Sequence, residues 1–342
     1  MFYFIRFRLV IFIIFSSLSF PLWTQSEFAI GFGSCLDQDL PYHILSQISE
    51  LKPKVFIFMG DTIYLDSENP EDKIPAYEKL VNNIYYQKLK KNTKLLYTWD
   101  DHDFGINDAG SDYKEIEKSK SIFLNFIQEP QNSPRRKRKG VYDSYYFEHS
   151  GKIIQILLLD TRTFRSNLSK NFWGEIIPNI DPNATILGED QWNWLDQEFQ
   201  KKADVRLLVS SIQFHNDLHR FEKWGNFPNE KKKLFQLLQK HSIKGTLIIS
   251  GDRHIGEMYK IQKAGLPTLF EITSSPLNKE LTFPAVEPFH PDRIGNFVQE
   301  SNFGLLRFIP EKDDLKIFME IHLLNGLILQ KVVNLSELQK IN

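Results

Sequence analysis

Five short apolar runs in this chain each stop at residues able to do chemistry. Residues 55–59, Val-Phe-Ile-Phe-Met, end at Gly60-Asp61-Thr62-Ile63-Tyr64. Residues 95–99 end in Asp100-Asp101-His102-Asp103, residues 153–159 in Asp160-Thr161-Arg162, residues 246–250 in Gly251-Asp252-Arg253-His254, and residues 28–32 in Gly33-Ser34-Cys35. Together they offer carboxylates, imidazoles, a phenol and a thiol, the ligand types of a metal centre. Each ending alone has an ordinary structural use: an aspartate after a strand caps a helix, a tyrosine packs, and a lone cysteine fills core. Coincidence is a poor account of all of them together.

Thiolate and phenolate are strongly donating anions, and a phenol with an ordinary pKa of about 10 ionises readily only on a strong Lewis acid. Cys35 and Tyr64 therefore predict iron, in the ferric state. Carboxylates predict a harder neighbour such as calcium, magnesium or manganese, and Asp61 is a candidate to bridge the two. Two ions roughly 3.5–4 Å apart can generate hydroxide and clamp the attacking and leaving oxygens of a phosphoryl transfer. That is the reaction class these residues favour.

For the endings to converge, the runs must be strands whose carboxyl ends share one edge of an α/β sheet. The run 55–59, bounded by Lys54 and Gly60, reads as a fully buried strand. Residues 42–51 place Ile44, Leu45, Ile48 and Leu51 at helical spacing, which makes a right-handed βαβ unit with the strand at 28–32. Residues 75–91 predict one helix, and residues 113–128 another that Pro130 stops. The basic run 135–139 reads first as a solvated loop, residues 141–148 and 153–159 as a hairpin, and residues 165–182 as an irregular loop over the site. A helix over 187–199, a strand over 206–212 ending in Gln213-Phe214-His215-Asn216-Asp217, and a helix over 231–241 lead to the strand at 246–250. Four later strands, at 269–273, 303–309, 315–322 and 327–333, have connections too short for crossover helices and are expected to be antiparallel.

With 342 residues, 42% of them hydrophobic, the chain can bury a sizeable core, and no linker divides it, so residues 26–342 are expected to form one catalytic domain. Forty-two Lys and Arg against 43 Asp and Glu leave no global field that points to nucleic acid or an anionic membrane. Residues 1–25 carry Arg6 and Arg8, an apolar stretch over 9–15 and a serine-rich end, the layout of a Sec-type signal peptide for a periplasmic or secreted protein. The apolar stretch is shorter than the roughly 20 residues of a spanning helix. An uncleaved membrane anchor is the alternative and the one membrane contact expected. Cys35 is the only cysteine, which excludes an internal disulfide.

In order and setting, several motifs resemble the alkaline phosphatase D (PhoD-like) branch of the calcineurin-like metallophosphoesterases, and more distantly the purple acid phosphatases. They are Phe32-Gly33-Ser34-Cys35, Gly60-Asp61-Thr62-Ile63-Tyr64, Trp99-Asp100-Asp101-His102-Asp103 with Asn107-Asp108, and Gly140-Val141-Tyr142. Leu159-Asp160-Thr161-Arg162, Leu187-Gly188-Glu189-Asp190-Gln191-Trp192 and Ser250-Gly251-Asp252-Arg253-His254 complete the set. The resemblance implies a mixed α/β fold, a four-layer αββα sandwich with two mixed sheets. It implies a phosphoesterase that cleaves phosphate mono- or diesters by attack of metal-bound hydroxide. The centre would be binuclear or trinuclear, Fe3+ with Ca2+, the alternatives being Zn2+, Mn2+ or Mg2+.

Carried over position by position, Cys35 and Tyr64 would hold the iron and Asp61 would bridge. Asp101 would stand where the wider superfamily has asparagine, Asp252 where it has histidine, and His254 would complete that strand end. His102 would serve as general acid or as a cation in the transition state, and Arg162, Arg253, Arg136, Arg138 and Asn107 would meet the substrate phosphate. The wider pattern also expects a histidine after the strand at 206–212, a place for which Gln213 and His215 both qualify. The larger family members carry a β-sandwich domain ahead of the core; here the core is expected to begin directly after residues 1–25, without that domain. A monomer acting on a phosphate ester is expected. A phospholipase- or nuclease-like phosphodiesterase is the neighbouring alternative. A non-catalytic exported binding protein on the same scaffold is disfavoured by the retained carboxylates and histidines.

Overall fold

The computed structural model describes residues 27–341; the segment read as an export signal or anchor lies outside the described residues. Strand β1 (Phe28–Gly33), helix α1 (His43–Leu51) and strand β2 (Val55–Met59) form a parallel unit. A second runs through α2 (Lys73–Val81) and α3 (Ile84–Asn92) to β3 (Lys94–Thr98). The apolar spacing predicted one helix here. The chain makes two because Asn83 is extended and its side chain accepts the Tyr85 and Tyr86 amides, capping a new helix.

Helices α4 (Asp101–Phe104), α5 (Ile116–Phe126) and α6 (Pro134–Lys137) lead to the antiparallel hairpin of β4 (Asp143–His149) and β5 (Lys152–Leu158). The expected loop after it holds one small pairing, β6 (Ser169–Lys170) with β7 (Ile176–Ile177). Helix α7 (Gly188–Phe199), strand β8 (Val205–Ser210), helix α8 (Pro228–Lys240) and strand β9 (Thr246–Ser250) continue the alternation. Strands β10 (Gly256–Ile261), β11 (Leu269–Thr273) and β12 (Arg293–Val298) follow, and β13 (Asn302–Glu311), β14 (Asp314–Leu323) and β15 (Gly326–Asn334) close the chain as a meander.

These strands make two large mixed sheets, ordered β15-β14-β13-β1-β2-β3 and β12-β10-β11-β9-β8-β5-β4. Alternation along each strand sorts the layers. Val55, Ile57 and Met59 join Ile156, Leu207 and Ile249 in the core between the sheets, while Phe56 and Phe58 pack outward on α1 and α3 residues such as Leu45 and Leu89. On the far side, Leu157, Leu208 and Ile248 pack on Leu195 of α7 and Leu238 of α8. The result is the αββα order of layers.

One expectation is corrected. Strand β11 pairs antiparallel with β10 but parallel with β9. The intervening strand β10 lies one place further out in the sheet and lets β11 return beside β9; the apolar pattern of β10 is masked by a buried Glu257. The three meander strands are antiparallel as expected, β13 pairing with β1 and β14.

Strands β1, β2 and β3 in one sheet, and β5, β8, β9 and β11 in the other, run parallel to one another, so their carboxyl ends gather at one edge of the sandwich. Bonds between strand ends tie that edge together. Thr98 Oγ1 donates to the Leu159 carbonyl at 2.7 Å, and the Gly251 amide donates to the Ser211 carbonyl at 3.0 Å.

Candidate metal centre

Four residues at these ends take the left-handed backbone conformation: Cys35 (φ 59°), Asp61 (φ 50°), Asp252 (φ 67°) and His254 (φ 53°). Each costs on the order of 1 kcal/mol for a residue with a Cβ, and such turns are retained where a side chain must be re-aimed off a strand. Gly60 before Asp61 has φ 104°, and a Cβ there would collide with the Asp100 Cβ. Only glycine lets β2 and β3 end so close together.

Asp61 is the hub. Its Oδ2 is reached by Cys35 Sγ at 3.5 Å and by Tyr64 Oη at 3.2 Å, and its Oδ1 accepts the His102 amide at 3.3 Å. Tyr64 Oη lies 3.1 Å from His254 Nε2. Asp101 accepts the His102 amide at 3.0 Å and the Asp108 amide at 2.7 Å. Ligand atoms of Asp61, Asp101 and His102 lie within 4.8 Å of one another, and so do those of Asp61, Asp100 and Asp252. Every residue expected to ligate a metal is therefore brought to one place, and Asp100 joins them.

Burial drives the Cys35 thiol up to about 12, with the charge of Asp252 adding to it against hydrogen bonds from Ser275 and Ser34. Burial, then Asp101 and Cys35, raises Asp61 well above the carboxylate range. Asp252 is raised by burial and by Asp100 and Asp101, and Tyr64 by burial and Asp61. Burial lowers His254, leaving a neutral imidazole. Asp101 is the exception: burial opposes its ionisation, but Arg162, His102 and the Asp108 amide together hold it below the ordinary range. A buried thiol, phenol and several carboxylates that mutually resist ionisation fit a site completed by cations, whose charge reverses each of those shifts.

The expected phosphate ligands fare differently. Arg253 and Asn107 line a cleft of about 940 Å³ whose floor is Asp61, Asp101, His102 and Asp252. Arg162 does not: it is wholly buried, bonded to Asp100 and, at 2.6 Å, to Glu222, so its guanidinium is a strut beneath the centre. Arg136 and Arg138 also lie outside the cleft lining. Arg136 is spent on the carbonyls of Leu124, Glu129 and Pro130, and Arg138 on Asp143 at 3.1 Å and the Tyr142 ring. The basic run is not a solvated loop, since α6 turns Arg135 inward onto the Val141 and Tyr97 carbonyls.

Neither Gln213 nor His215 enters the centre. Gln213 is buried against Glu257 at 2.7 Å and Thr273 at 2.8 Å, and His215 pairs with Asp292 at 2.9 Å. The sequence reading missed Glu222 and Arg165, which meet at 2.8 Å and extend the Arg162 strut. It also missed Asp100 as a partner of the centre, though the doubled aspartate was a signal for it.

The PhoD-like phosphatase family matches residues 30–303 of the chain. Among curated proteins none matches. Among solved structures, one described as the structure of PhoD superposes with a TM-score of 0.66 at 14% identity, covering 88% of this chain and 71% of that chain. That likeness establishes the shared fold. Vps29 of Chaetomium thermophilum is 10% identical with a TM-score of 0.33, covering 90% of this chain and 97% of that one. A double mutant of Entamoeba histolytica Vps29 is 8% identical with a TM-score of 0.33, covering 90% and 99%. Those two similarities are too slight to bear on the site.

Proposed function

The chain belongs to the PhoD-like phosphatase family and is a phosphoric ester hydrolase, and from that premise we propose that it cleaves phosphate mono- or diesters at a centre of two or three metal ions, ferric iron beside calcium. The observation that carries this reading is the Asp61 carboxylate, which the Cys35 thiol, the Tyr64 phenol and the His102 amide all reach at once. Cys35 and Tyr64 would hold the iron, Asp61 would be shared, and Asp101, Asp252 and His254 would complete the set. When bound, such ions supply Lewis acidity that ionises water near neutral pH and neutralises phosphate oxygens.

The protein's own groups do the rest. The ring of His102 packs on that of Tyr64 at 4.2 Å between centroids, and its Nδ1 lies 3.1 Å from Asp66. That contact orients the imidazole and leaves Nε2 for the leaving oxygen, the position of a general acid. Arg253, anchored by Glu287, and Asn107 present donors from the cleft wall. Export is part of the proposal and rests on Arg6, Arg8 and the apolar residues 9–15; the enzyme would act as a monomer without a nucleic-acid partner.

The experiment is to purify the protein with its metals, count them by elemental analysis, and assay aryl phosphate mono- and diesters. Asp61→Asn and Cys35→Ser should each lose metal and turnover together. Full metal content and turnover in both variants would overturn the site. Metal-loaded protein inert towards every ester class would instead favour a binding protein on this scaffold.

A further inference from the structure

Around the acidic floor of the cleft, the mouth is apolar. Trp173, Leu218, Phe221, Phe283 and Val286, from three separate loops, all line it. The outermost of these side chains and their neighbours are almost bare: Phe172 is 95% exposed, Trp173 80%, Val286 90% and Phe289 81%. Phe172 and Trp173 form the tip between β6 and β7, their rings edge-to-face at 6.1 Å. Side chains of this size are rarely left in water in a group, and a clustered apolar rim marks an interaction surface.

Charge indicates the partner. Lys170, beside the tip, and Arg220, beside Phe221, also line the mouth, and neither is in an ion pair among the described residues. The tip hairpin also carries an exposed carboxylate, Glu175, which accepts the Asn171 side-chain amide at 2.7 Å and keeps its charge, so among the exposed residues of the lining two cations face one anion. Aromatic tips that include tryptophan, flanked by unpaired cations, match the chemistry of a headgroup layer: rings seat at its boundary and cations meet lipid phosphate.

We propose that the mouth of the cleft docks on an anionic lipid surface, with the Phe172–Trp173 tip and the loop bearing Val286 and Phe289 entering the headgroup layer. Docking of this kind places the cleft floor against the membrane plane and holds whether or not the lipid is itself the ester cleaved. The global charge balance does not oppose it, because the attraction is local to the rim.

The full chain is mixed with phosphatidylglycerol vesicles whose acyl chains carry bromine. Tryptophan quenching is then compared with that of Trp173→Phe, which subtracts every other tryptophan. Quenching assignable to Trp173 is expected, and its absence overturns docking. In sedimentation with the same vesicles, Phe172→Ser/Phe289→Ser should reduce uptake by about tenfold or more, while turnover of a small soluble aryl phosphate stays unchanged. Loss of uptake with intact turnover keeps this proposal separate from the catalytic one. Lys170→Glu/Arg220→Glu should lose uptake on phosphatidylglycerol far more than on phosphatidylcholine. Unchanged uptake in the Phe172→Ser/Phe289→Ser variant, or a dimer abolished by it with no vesicle uptake by the parent chain, overturns the proposal; the latter assigns the rim to a second copy.

Discussion

Replacing Arg162 with methionine, which keeps most of the length and removes the charge, strips one cation from beneath the centre. Glu222 retains Arg165 at 2.8 Å, and Asp101 retains the amides of His102 and Asp108. Asp100 loses the most: its Oδ1 keeps Ser211 at 2.6 Å but no cation, and its Oδ2 already lacks a partner. Breaking a buried pair by removing one partner costs about 3–5 kcal/mol, and the surviving contacts put Arg162→Met at the lower end, about 3 kcal/mol. Burial already raises Asp100 to about 7 although Arg162 pulls it down, so the variant's carboxyl rises further.

A raised folded-state pKa contributes stability that is present below the unfolded value and lost as pH rises through the folded one. The deficit of Arg162→Met is therefore larger at pH 8 than at pH 5.5, where the orphaned carboxyl takes a proton. Urea unfolding of the metal-free protein, followed by tryptophan fluorescence, measures it, with KM for an aryl phosphate determined in parallel on the metal-loaded protein. Arg162→Lys, which keeps the charge without the fork, should fall between. A variant within ~0.5 kcal/mol of the parent at both pH values, with KM raised about tenfold or more, would refute the strut and restore Arg162 as a phosphate ligand.

Gly60→Ala would place a Cβ 2.7 Å from the Asp100 amide nitrogen in a backbone with φ 104°; a loss of about 3 kcal/mol or more with reduced metal content is expected, and a parental melting temperature with full metal would contradict it. Arg136→Ala and Arg138→Ala should leave KM unchanged because neither residue lines the cleft, while Arg138→Ala loses about 1 kcal/mol of stability with its stacking on Tyr142. Burial opposes the ionisation of Glu320, but hydrogen bonds from His322, Arg307 and Gln330 overcome it and hold the carboxyl down to about 2. Its contribution is therefore present above the unfolded carboxylate value and lost as pH falls towards 2, and Glu320→Gln should narrow its stability gap to the parent across that window; an equal gap at pH 3 and pH 7 would contradict the pairing.

The cluster of residues proposed as ligands was legible because they sit two to five positions past buried apolar runs, so chain position alone placed them at strand ends. Asp61, Tyr64, Asp101 and His254 needed no tertiary information beyond the parallel order of β1, β2 and β3, and of β8 and β9. Arginine roles were not legible for the opposite reason. A basic run says only that charge is dense, and α6 turns three of its members three ways: Arg135 inward to the Tyr97 carbonyl, Arg136 onto the end of α5, Arg138 onto an aromatic ring. The direction of each depends on where a four-residue helix starts, which Ser133 decides by capping the Arg135 amide.

Glu222 shows the limit most sharply. Between Phe221 and Lys223 it has the look of a surface loop, yet it is buried because two arginines from the strand end after β5 come to meet it. Nothing periodic announces such a contact, since both partners lie in irregular segments that converge only after the sheets have stacked. The same loop exposes Leu218 and Phe221 at the cleft mouth while Glu222 holds the strut below. Any change that loosens Glu222 would thus act on the Arg162–Asp100 pair and on the apolar rim at once, although no residue of that loop approaches the Asp61 hub through a bond of its own.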